Sequence, residues 1–88
     1  MSAFAIISIK PNSALDGAVQ THYPTASHRV ADNVWLVADN GLTTQEVCAR
    51  LGIDAGGITN VMAIKVDSYW GRAPKTIWEW LSVKASDP

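Results

Sequence analysis

The sequence contains a single cysteine, Cys48, no run of apolar residues approaching the about 18 that a membrane-spanning helix needs, and no block of like charge. Each shortage excludes something. One cysteine makes neither an intrachain disulfide nor a cysteine-rich metal site. The opening Met1–Ile9 lacks the basic start and long apolar centre of a signal peptide, so a soluble cytoplasmic protein with no membrane partner is expected. Seven basic residues stand against eight acidic ones, for a net charge of −1. Lys10, Arg29, Arg50, Lys65, Arg72, Lys75 and Lys84 are scattered along the chain. A dedicated nucleic-acid binder usually clusters such charge to contact phosphates, so that partner is not favoured.

Tryptophan, by contrast, is plentiful: four in 88 residues. A chain this short reads as one domain over residues 1–88, with a core of limited size. Each buried tryptophan adds roughly 150–250 Å² to such a core. A second copy of the chain is another way to cover apolar surface.

Residues 3–9 form a short apolar run that reads as a central strand. Alternation puts Ala5, Ile7 and Ile9 on one side and Phe4 and Ile6 on the other. Ser13 and Asp16 give an S-x-x-D helix start, followed by Leu15, Val19 and His22 at helical spacing. Residues 26–38 read as two strands joined at Asp32-Asn33. Thr43 and Glu46 form a capping box, Leu42 and Val47 a hydrophobic staple, and Gly52 the helix stop. A strand follows over 58–66, with Met62, Ile64 and Val66 on one face. A last helix is expected over about 74–83, with Ile77, Trp78 and Leu81 in its apolar stripe and Trp80 off it.

The class is therefore α+β. The element order is the ferredoxin-like β-α-β-β-α-β over 3–67, with a four-stranded antiparallel sheet in order 4-1-3-2 and an additional C-terminal helix. Both crossover helices should cover one face of that sheet. If Ala5, Ile7 and Ile9 point at the helices, Phe4 and Ile6 point away. The third strand is also apolar on both sides, with Val34 and Leu36 opposite Trp35 and Val37. Two central strands that are apolar on both faces need two covers, and the tail helix supplies only part of one. Phe4, Ile6, Val34, Leu36 and Trp80 are thus the candidates for a homodimer or partner interface.

No convergent catalytic set is visible. His22 and His28 alone do not complete a metal site, and Cys48 lies on an inward helix stripe where cysteine serves as a small hydrophobe. No catalytic residue, metal or cofactor is expected. The stretch 69–75 is the exception worth weighing: Tyr69 and Trp70 offer an aromatic wall, and Arg72 and Lys75 flank a helix start that favours an anion.

The strand order, with Val34-Trp35-Leu36-Val37 after the hairpin, resembles the small dimeric ferredoxin-like proteins of the Cas2 and SinR-like groups over residues 3–67. The resemblance implies this fold and a homodimer. In the Cas2 nucleases an aspartate ends the first strand and binds metal. Ile9-Lys10 stands there in this chain, with no carboxylate before Asp16, so metal-dependent cleavage is not implied. The expectation is a non-catalytic homodimeric interaction or regulatory module that contacts a protein partner. Its rivals are a nucleic-acid-binding or processing protein related to those dimers, and a sensor of a small anionic ligand or nucleotide using residues 69–75.

Overall fold

The computed structural model describes residues 2–53, 57–68, 71, 72 and 75–84. Among them run β1 (Ser2–Ser8), α1 (Ser13–His22), β2 (Ser27–Ala31), β3 (Val34–Asp39), α2 (Thr44–Leu51), β4 (Val61–Lys65) and α3 (Lys75–Lys84). The four strands form one antiparallel sheet in the order β2-β3-β1-β4, the expected order read from the other edge. Asp32-Asn33 makes the hairpin turn between β2 and β3, as expected.

Helix α2 follows its local signals closely. The Thr43 hydroxyl accepts from the Glu46 N–H at 3.2 Å, and the Glu46 carboxylate accepts from the Thr43 N–H at 2.8 Å. Gly52 ends the helix at φ 79°, a left-handed conformation that glycine adopts without a Cβ clash. The cap of α1 differs from expectation. Asn12, not Ser13, occupies the cap, its Oδ1 accepting from the Leu15 N–H at 3.1 Å. That leaves Asp16 available for a tertiary role.

The phase of β1 is the opposite of the one used to place the interface. Phe4 and Ile6 face α1 and α2, in a core with Leu15, Val19, Trp35, Val37, Val47 and Leu51. Size explains the choice. Phe4 and Ile6 fill the space between sheet and helices, whereas Ala3 and Ala5 on the other face let α3 come close. Both large residues are 0% exposed, so neither has surface left to give a partner. That part of the interface expectation is corrected.

Three smaller departures have local causes. His22 is exposed, and the next residue, Tyr23, turns into the core in its place. Ile9 lies beyond the end of β1 and is 73% exposed. Strand β4 starts at Val61 rather than at 58, because Ile58 instead bridges Ile53 and Asn60 takes φ 61°.

On the second face, α3 lays Ile77 and Leu81 on Ala3 and Leu36, with Ala5, Val66, Trp78 and Trp80 around them. Leu36 is therefore covered within the chain. No helix among the described residues is long and apolar enough to cross a membrane.

Candidate functional site

Three regions were expected to carry function or now draw notice: the second sheet face, the charged residues, and the stretch 69–75.

Among the described residues the second face is only half covered. Cross-strand partners share a face, so the register Ala5↔Leu36, Ile7↔Val34, Ala5↔Ile64 and Ile7↔Met62 assembles one surface from three strands. Helix α3 occupies the end near Ala3 and Leu36. At the other end Ile7 and Val34 are half-buried, while Met62 and Ile64 are 57% and 47% exposed. Ile9 extends this region, and a shallow apolar depression of about 210 Å³ lies between Ile7, Ile9, Asn60, Val61 and Met62. Val34, half-buried, is thus the interface candidate that borders this open region. Met62 and Ile64 were not among the candidates, although their spacing two apart on a strand was the available signal.

Two of the arginines, Arg29 and Arg50, are paired. Arg29 stacks on the Trp35 ring, its Cζ 5.1 Å from the centroid. Its guanidinium also donates to Asp16 at 3.2 Å and to the Asp32 and Ala31 carbonyls at 2.9 and 3.3 Å. Trp35 Nε1 donates to the other Asp16 oxygen at 3.0 Å. Arg50 donates to Asp39 at 2.9 Å, and the buried Tyr23 hydroxyl donates to the same oxygen at 2.7 Å. Burial, then the Asp39 bond, pushes the Tyr23 hydroxyl well above the usual tyrosine range. Both arrangements tie surface elements together, and neither aims an unsatisfied group outward.

Tyr69 and Trp70 lie outside the described residues, and Arg72 and Lys75 are both exposed. Trp80 is half-buried, its ring 6.2 Å from that of His28 on β2. Cys48 is half-buried on α2. Among the described residues no group of three or more His, Cys, Asp or Glu side chains is placed to hold a metal ion. A second depression, about 340 Å³, lies between the β1–α1 connection and Thr59-Asn60, but Lys10 is its one ionisable side chain.

No model of a known protein family matches the chain, and no curated protein matches it in sequence.

Proposed function

We propose that the chain is a ferredoxin-like β-α-β-β-α-β unit, elaborated by α3, that works without catalysis as a homodimeric interaction or regulatory module. The observation that carries this reading is the half of the second sheet face that the described residues leave open. Met62 and Ile64 are about half exposed to water beside the half-buried Ile7 and Val34. Fully burying an aliphatic side chain of this size is favourable by about 1.5–3 kcal/mol. A contiguous set of them on a chain with so small a core is a surface that gains from a partner.

The nucleic-acid reading has less support. It needs Arg29, Arg50, Arg72 and Lys75 on one surface, and the first two are held by Asp16 and Asp39. The sheet aromatics that could stack on bases, Phe4 and Trp35, belong to the interior.

Light scattering across a concentration series tests the proposal. A mass rising towards twice the chain's 9.5 kDa is expected. A mass of 9.5 kDa throughout, or a salt-sensitive shift of labelled RNA or DNA by the monomer, would overturn it.

A further inference from the structure

A sheet that ends in an unpaired strand offers a row of backbone donors and acceptors to any strand that comes alongside. This sheet has two ends, and they differ. At β2 the register slips between Arg29 and Ala31, and the bulge there is flanked by the Arg29 guanidinium. Bulges and edge charges both discourage strand addition. At β4 the register with β1 is unbroken from Val61 to Lys65, and Lys65 is the one charge.

The hydrogen-bond pattern says which β4 groups point outward. The Val66 N–H donates to the Ala3 carbonyl at 2.9 Å, and the Ile9 N–H to the Asn60 carbonyl at 3.0 Å. Each of these is a directly opposed pair, so Asn60, Met62, Ile64 and Val66 turn their backbone groups towards β1. By alternation Val61, Ala63 and Lys65 turn theirs away from it, and no described strand receives them.

We propose that this edge pairs, antiparallel, with β4 of a second copy about a two-fold axis at Ala63, giving one continuous eight-stranded sheet. The inference rests on the self-association proposed above and specifies its geometry. In this register Ala63 opposes the partner's Ala63, and Val61 opposes the partner's Lys65, so the outward donors and acceptors all find mates. Met62 opposes the partner's Ile64 twice over, which brings together the two exposed large apolar side chains of the strand. The two copies of Lys65 fall at opposite ends of the pairing, whereas a register centred on Lys65 would set them face to face. The axis is perpendicular to the sheet, so the open halves of both second faces lie side by side on the same surface. A five-residue edge with one flanking apolar strip makes a small interface, so a concentration-dependent dimer is expected.

Cysteine pairing tests the register. In a Cys48→Ala background, Met62→Cys and Ile64→Cys variants are mixed and oxidised with glutathione disulfide. Opposed non-hydrogen-bonded residues have Cα atoms about 4.5 Å apart, within disulfide reach, whereas the diagonal homotypic pairs are at about 7–8 Å. The mixture should cross-link several-fold more than either variant alone. Separately, Ala63→Pro removes only an outward N–H, which an edge strand tolerates. It should return the mass to 9.5 kDa with an unchanged circular dichroism spectrum. Slowed exchange of the Ala63 amide on association gives a readout on the native chain. If the chain dimerises but the mixture does not cross-link preferentially and Ala63 stays unprotected, the edge register is overturned while self-association stands. If the chain remains a monomer at all concentrations, both proposals fall.

Discussion

The Tyr23 hydroxyl donates a 2.7 Å hydrogen bond to Asp39 Oδ2, joining the end of α1 to the end of β3. Arg50, in the last turn of α2, binds the same oxygen at 2.9 Å, and the Asn40 N–H binds Oδ1 at 2.8 Å. One carboxylate thereby fastens both crossover helices to the sheet at a single corner. Removing the hydroxyl with Tyr23→Phe leaves Asp39 with its other two partners, so a loss of only about 0.5–1.5 kcal/mol in denaturant unfolding is expected. The pH dependence has a definite sign. The fold raises the hydroxyl's pKa, so its contribution is complete below the unfolded value of about 10 and is lost as pH rises above it. Tyr23→Phe should flatten the alkaline side of the stability profile. An equally steep alkaline fall in the variant would show that another group is responsible.

The start of α1 separates two serviceable caps that stand side by side in sequence. Asn12→Ala should cost about 0.5–2 kcal/mol, because it removes the acceptor of the Leu15 N–H. Ser13→Ala should be nearly neutral. Equal effects from the two substitutions, measured by thermal unfolding, would contradict the Asn12 cap.

Asp16 serves the tertiary structure rather than its own helix. It accepts from Trp35 Nε1 at 3.0 Å and from Arg29 at 3.2 Å. Asp16→Ala leaves the indole N–H of the buried Trp35 without its acceptor, at a cost of about 1–3 kcal/mol. Most of that should reside in the indole bond, since the exposed ion pair with Arg29 is worth little. A double-mutant cycle with Trp35→Phe should therefore show strong coupling, and one with Arg29→Ala weak coupling.

What could be read in advance depended on how local its cause was. The α2 capping box and Gly52 stop are settled within ten residues, and the strand order follows from the sequence of elements. The phase of β1 is not local. Both sides of Ala3–Ile7 are apolar, and only the volumes of the facing layers send Phe4 and Ile6 to the helices and the alanines to α3. The same ambiguity hid the open surface, because Met62 and Ile64 read as ordinary strand residues until α3 was seen to stop short of them. Asp16 had a sufficient explanation in the S-x-x-D start, which concealed its partner 19 residues away, and no local signal ties Asp39 to Tyr23, 16 residues away.

Glu46 gives a prediction on the acid side. The Thr43 backbone N–H, then the Thr43 side chain, hold its carboxyl below the ordinary range. A depressed carboxylate contributes stability that is present above its unfolded pKa and is lost as pH falls through the folded value. Glu46→Ala should therefore lower stability at neutral pH and lessen its fall on acidification, followed by urea unfolding at several pH values. A variant that differs from the wild type only below the carboxylate range would reverse the sign and refute the capping account.

Trp80 lies beside the stripe of α3 that touches Ala3 and Leu36, and it was expected to serve a partner. Within the chain its ring meets that of His28, with centroids 6.2 Å apart and planes inclined by 37°, which fastens α3 across to the edge strand β2. Tilted aromatic pairs of this kind contribute about 0.5–1.5 kcal/mol beyond their burial. Trp80→Ala and His28→Ala should therefore couple by about that amount in a double-mutant cycle of folding stability. The β4 edge lies at the other side of the sheet from β2, so the dissociation constant of the proposed dimer should move little when Trp80 is replaced. Additive effects on folding together with a large loss of association would return Trp80 to the interface and remove the intrachain contact as its explanation.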